Sequence, residues 1–154
     1  MKTKALHLFF ISLIQLNACF IYDSKRISYQ PKVSQIENTT NVKIIIGTSI
    51  FLATLYDNTA ANALKKMIPF SIDMAELNGN EKYYNLKTAL PAAAAPGGNI
   101  KAGDLMLYGN DVLVLFYKDF TTTYNYTKLG SIDNAAGLAE ALGGSNAIVK
   151  FEPN

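Results

Sequence analysis

From Val42 onward, apolar side chains alternate with polar ones through most of the chain, and a two-residue period of this kind marks strands with one face in a core. Val42, Ile44 and Ile46 lead to Gly47-Thr48, and Ile50 to Tyr56 resumes the extended pattern, so the domain is expected to open on a hairpin. The period then changes. Asp57 or Asn58 can cap a helix through Ala60, Ala61, Ala63, Leu64 and Met67, with Lys65 and Lys66 near its C-terminal end and Pro69 stopping it. Phe70, Ile72 and Met74 alternate with Ser71 and Asp73 as the next strand, Asn78-Gly79 marks a turn, and Glu81 to Leu86 carries the paired aromatics Tyr83 and Tyr84. Leu90 to Asn99 holds two prolines and a glycine pair around four alanines. These breakers make a helix improbable and predict a surface loop.

Leu105 to Tyr108 and Val112 to Tyr117 are the densest apolar runs, and the Gly109-Asn110-Asp111 between them is good hairpin chemistry. Tyr124, Tyr126 and Lys128 begin a further strand towards Ile132. Asp133 is placed to cap a short helix through Leu138 and Leu142 that ends at Gly143-Gly144, and Ala147 to Phe151 supplies a closing strand. Seven or so strands with two short helices predict a mainly β fold, a small closed barrel. Closure removes the unpaired edges that such apolar strands would otherwise expose.

The first 41 residues follow another logic. Lys2 and Lys4 precede an apolar run from Ala5 to Leu16, too short to span a bilayer comfortably, and Leu16-Asn17-Ala18-Cys19 has the pattern of a bacterial lipobox. Residues 1–18 therefore read as a lipoprotein signal peptide, with Cys19 as the lipidation site. Asn17 departs from the small or aliphatic residues more usual beside the cleaved bond. An ordinary secretory signal with an incidental cysteine, or an uncleaved amphipathic anchor, stays open. Residues 19–41 are polar and aperiodic, a tether by which a domain over 42–154 stands clear of lipid headgroups. The expected address is the bacterial cell envelope, as a membrane-anchored lipoprotein facing the periplasm or the surface.

The whole chain is formally +2, but from Val42 onward nine Lys, no Arg and ten acids leave −1. No basic stripe exists to displace counterions from phosphate, which argues against nucleic acid as a partner. The only cysteine, Cys19, and the only histidine, His7, both precede the domain. Ser-His and Cys-His nucleophiles therefore cannot be assembled there, and soft-metal sites lose their usual ligands. Gly103 and Gly109 lack the following Lys-Ser or Lys-Thr of a phosphate loop. Glu76 with Glu81, or Asp104 with Asp111, can be imagined as carboxylate pairs for acid–base work or a hard cation; the alternative is solvated turn and strand-end acids. No catalytic residue, metal or cofactor is expected.

What the domain does carry is tyrosine: Tyr56, Tyr83, Tyr84, Tyr108, Tyr117, Tyr124 and Tyr126. Alternation sends Tyr83 and Tyr84 to opposite faces and Tyr124 and Tyr126 to one. Rings that reach a groove offer flat apolar area and a hydroxyl, suited to a peptide, glycan or other small ligand; rings that only cover barrel ends are the competing account.

Glu76 to Tyr84 and Ala102 to Gly109, with Val112 to Lys118 and Tyr124 to Gly130, resemble a cyclophilin-like domain family of Bacteroides-type gut bacteria, in segment order and spacing over about 42 to 152. The resemblance implies a small cyclophilin-like barrel capped by two helices. By analogy with the ligand face of such barrels, it implies a binding surface of Glu81, Tyr83, Tyr84, Met106, Tyr108, Tyr124 and Tyr126. Cyclophilins themselves are peptidyl-prolyl isomerases, in which a guanidinium on the barrel face hydrogen-bonds around the target proline. Here the sole arginine, Arg26, lies in the tether, and the domain has neither His nor Trp. Lysine does not replace a planar fork. The resulting expectation is a non-catalytic binding or accessory module for a peptide or small-molecule ligand, held at the membrane by its lipid. The alternative is a weak peptidyl-prolyl isomerase acting on envelope proteins.

Overall fold

β1 (Thr40–Ile46) and β2 (Ser49–Leu55) pair antiparallel from Ile46↔Ser49 to Thr40↔Leu55, forming the opening hairpin. The computed structural model describes residues Thr40–Asn154, so the signal peptide, Cys19 and the tether up to residue 39 lie outside the described residues. Of the two candidate caps for α1 (Thr59–Met67), Asn58 is the one used: its side-chain oxygen accepts the Ala61 N–H at 2.9 Å. Ala60, Ala61 and Leu64 are the buried face of that helix.

The remaining elements are β3 (Phe70–Leu77), β4 (Glu81–Asn85), β5 (Ala95–Ile100), β6 (Asp104–Tyr108), β7 (Val112–Phe116), β8 (Phe120–Ile132), α2 (Leu138–Leu142) and β9 (Ala147–Pro153). Every strand pairing is antiparallel. The order β2-β1-β9-β3-β4-β7-β6-β8 returns to β2 where Ala53–Leu55 pairs with Gly130–Ile132. Eight strands thus close a barrel with two short helices, and β5 adds on to β8 outside the ring. Inside lie Val42, Ile44, Phe51, Leu55, Met74, Leu105, Leu107, Leu113, Leu115, Leu129, Val149 and Phe151, with Leu64 of α1 and Leu138 of α2 packed on the same core.

Three expectations are corrected. Ala95 to Asn99 is not loop but most of β5, paired with β8 from Ala95↔Tyr126 to Ile100↔Phe120. The Pro and Gly residues that exclude a helix do not exclude an edge strand: Pro96 sits at a register shift, and a Cβ on Gly97 would lie 2.8 Å from Thr122 Cγ2. Asp133 does not cap α2, which starts behind Gly137 at φ 80° with no side-chain cap. Its carboxylate accepts the Thr54 hydroxyl at 2.8 Å while its N–H donates to the Leu52 carbonyl at 2.9 Å, tying the end of β8 to β2. β8 also starts at Phe120, four residues before the predicted Tyr124, and with β5 included the described residues hold nine strands rather than seven or so.

The early start of β8 has a consequence for the site. β6 ends at Tyr108 opposite Tyr126, while β8 extends on the other side of that pair to Phe120, accompanied by β5. Ile100 and Phe120 of this two-stranded arm, with Tyr126, pack against Met106, Val114 and Phe116, which alternate with the interior residues Leu105, Leu107, Leu113 and Leu115. A second, smaller apolar cluster therefore lies on the outer face of the barrel.

Candidate ligand-binding face

On β4 the pleat decides everything. Lys82 and Tyr84 turn inward, and Glu81, Tyr83 and Asn85 turn outward to face their neighbours on β7. Register then builds rows across the outer face: Tyr83 opposite Val114, Val114 opposite Met106, Val112 opposite Tyr108, and Tyr108 opposite Tyr126. The result is a pocket of about 320 Å³ lined by Leu77, Asn78, Glu81, Tyr83, Asn85, Tyr108, Val112, Val114, Tyr124 and Tyr126.

Five of the seven residues expected on a ligand face meet here: Glu81, Tyr83, Tyr108, Tyr124 and Tyr126. Tyr84 does not, because one residue along a strand reverses the face; it packs against the main core instead. Met106 is buried in the outer cluster and reaches an adjoining cleft of about 330 Å³, which it shares with Tyr126, Gly97 and Lys128. Leu77, Asn78, Asn85, Val112 and Val114 were not anticipated. Alternation on β4 and β7 signals Asn85 and Val114, but the approach of the Leu77-Asn78 corner depends on the order of strands around the barrel.

The rings form a corner rather than a stack. Tyr108 and Tyr124 are edge-on, centroids 6.2 Å apart at 90°, and Tyr108 and Tyr126 are 5.6 Å apart at 55°. Tyr126 in turn meets Phe116 at 5.5 Å and 83°, which anchors it to the outer cluster. Tyr124 is 64% exposed and Tyr126 7%, so the corner runs from solvent down to the pocket floor. Burial pushes the Tyr126 hydroxyl up to about 12, and the nearby Glu81 charge adds to that.

Glu81 is only 8% exposed, lines the pocket, and has no hydrogen-bond donor to its carboxylate among the described residues. Burial raises its pKa above the ordinary carboxylate value, and the charge of Glu76 pushes the same way. Glu76 is its opposite. Burial alone would raise that carboxyl too, but the Lys82 ammonium, the Tyr117 hydroxyl and the Gly79 N–H together hold it below its usual value. Lys82 Nζ donates to Glu76 Oε2 at 2.5 Å, to the Gly143 carbonyl at 2.9 Å and to the Ser145 carbonyl at 2.5 Å, so the lysine is fully engaged on the side away from the pocket. The Tyr117 hydroxyl donates to Glu76 at 2.9 Å, and burial together with that carboxylate pushes it up to about 12.

The candidate carboxylate pairs therefore resolve differently. Glu76 is neutralised by Lys82 and shares no proton with Glu81. Asp104 accepts the Lys101 N–H at the start of β6, while Asp111 sits in the turn at the opposite end of the same hairpin. Among the described residues no cluster of three or more His, Cys, Asp or Glu is disposed to hold a metal ion. A larger hollow of about 660 Å³ lies beside α1, where three of its polar side chains are engaged in structure: Asn58 caps the helix and donates to the Lys128 carbonyl, and Asn62 donates to Asp57.

A closed antiparallel barrel capped by two short helices, with an aromatic pocket on its outer face, belongs to the cyclophilin-like class of barrels. The chain is a member of the Cyclophilin-like family, whose sequence profile matches residues 44–152. Its fold is similar to the solution structure of a hypothetical protein from Archaeoglobus fulgidus, with a TM-score of 0.55 and 16% identity over 75% of this chain and 95% of that one. That likeness speaks to fold alone. No curated protein matches the chain.

Proposed function

We propose that the chain is a Bacteroides-type cyclophilin-like module, anchored at the bacterial envelope, that holds a peptide or small ligand in the Tyr108–Tyr124–Tyr126 pocket without transforming it. The observation that carries this reading is the convergence of five chemically apt side chains on one pocket, with the buried Glu81 in its lining lacking a donor among the described residues. Apolar ring area supplies affinity, and one buried polar group supplies orientation. Chemistry is disfavoured by the same inventory: the domain has no Arg to play the cyclophilin guanidinium and no His or Cys to act as base or nucleophile. Fold membership does not itself carry isomerase activity.

The anchoring half rests on Lys2, Lys4, the apolar run to Leu16, and Cys19. The catalytic question is tested by following cis–trans relaxation of a proline peptide, intrinsically slow behind a barrier of about 20 kcal/mol, with the purified full-length chain. The relaxation rate is expected to match the buffer control. Robust acceleration that disappears in Tyr126→Ala, while that variant still melts cooperatively, would replace the binding reading with the isomerase one.

A further inference from the structure

We propose that the pocket is built for a small organic cation, a protonated or methylated amine, with Glu81 as counter-charge and the rings of Tyr108, Tyr124 and Tyr126 as walls. The proposal rests on the ligand-binding reading above and names the chemical class of the ligand. Glu81 is the starting point. The Glu81 side chain is nine-tenths buried and its carboxylate meets water only through the pocket; a carboxylate so placed without a protein donor is costly, and the remedy within a protein is a paired cation or hydrogen-bond donors. Neither is supplied from within: among the described residues no Lys or Arg lines the pocket. Lys82, the next residue, turns away and is held by Glu76, Gly143 and Ser145.

Ligand classes can then be weighed by charge. An anion entering the pocket would meet Glu81 with no compensating cation. A neutral apolar guest would seal the carboxylate further from water and leave it unpaired. A hard metal ion requires six or more oxygen ligands, whereas the pocket offers a single carboxylate and a few amide and hydroxyl oxygens. An organic ammonium pairs with Glu81 and also gains from the rings, whose negative faces attract cations. Tyr108 stands at 90° to Tyr124 and 55° to Tyr126, so the rings present surfaces from more than one side, as a cage for a rounded cation demands. A volume of about 320 Å³ suits one small molecule or a single long side chain.

The test titrates the isotope-labelled full-length chain with four probes, read by chemical-shift changes at Tyr83, Tyr108, Tyr124 and Tyr126. Choline is the free cation, its uncharged tert-butyl isostere the neutral control, butyrate the anion, and a lysine-bearing peptide asks whether the ammonium can arrive on a polypeptide. Choline, the lysine peptide or both should bind saturably and at least about tenfold more tightly than the isostere, and Glu81→Gln should cut that preference to the roughly threefold the rings supply. Tyr124→Leu should weaken cation binding about threefold, the scale of an exposed cation–π contact. Melting curves of both variants establish that they are folded. If the isostere or butyrate binds as well as the cations, or Glu81→Gln leaves the preference intact, the cation assignment falls while the pocket stands as a binding site. If no probe of any charge moves the pocket resonances, the binding reading falls with it.

Discussion

Lys82 has no exposed surface, a position that runs against expectation for a lysine. It is fully buried because strand closure brings Glu76 opposite it on β3 and lays the Gly143–Ser145 segment over its ammonium. Removing one member of a buried ion pair leaves the other uncompensated, so Lys82→Met should destabilise the domain by about 3 kcal/mol. Thermal melting should register this as a fall on the order of 10 °C. Glu81 and Glu76 give opposite pH signatures. Glu76 titrates lower in the folded state, so its stabilisation is present above its ordinary value of 4.5 and is lost as pH falls through the folded pKa. Glu81 titrates higher when folded; its proton favours folding below 4.5, and that contribution disappears as pH rises through the raised pKa. Glu81→Gln should therefore raise the melting temperature at pH 7, with the gain shrinking as pH is lowered through the raised Glu81 pKa. A gain that stays constant with pH would mean that the Glu81 carboxyl is not destabilised by its burial.

At the scale of elements, the closing seam between β2 and β8 leaves no room for a side chain at Gly130. A Cβ on Gly130 would lie 2.4 Å from the Thr54 carbonyl oxygen and 3.0 Å from Leu55 Cα, both backbone atoms that cannot swing aside. Gly130→Ala should cost about 2–3 kcal/mol and speed amide exchange in Ala53–Leu55, whereas Gly144→Ala, which meets open space, should stay within about 0.5 kcal/mol of the parent. Elements with a two-residue period, β1, β3 and β9, were legible in the sequence, as were the opposite facing of Tyr83 and Tyr84 and the dense apolar runs of β6 and β7 on either side of a turn. β5 was not, because Pro96 and the Gly97-Gly98 pair carry loop chemistry and become strand only where β8 leaves no room for a side chain at Gly97. The Lys82 network was equally hidden, since its carbonyl partners lie 61 and 63 residues away in sequence. For the site, the tyrosines and Glu81 could be named in advance, but their assembly depends on strand order, which no local pattern encodes.

At the scale of the molecule, the lipid address and the binding pocket should be separable. Among the described residues, both apolar clusters draw their buried members from residues 42–151, and the ring closes where β2 pairs with β8. Among the described residues no helix is long and apolar enough to cross a membrane. On the reading proposed above, membrane attachment depends on acyl chains at Cys19, and two or more chains hold where one gives only marginal binding. Cys19→Ser should move the chain from the membrane pellet to the soluble fraction while leaving the melting temperature, and any cation affinity measured in detergent, unchanged. The two readouts must be taken together. Loss of membrane association with a lowered melting temperature would show that the N-terminal segment supports the barrel, and continued pelleting of the folded variant would show that something other than a lipidated cysteine holds it there.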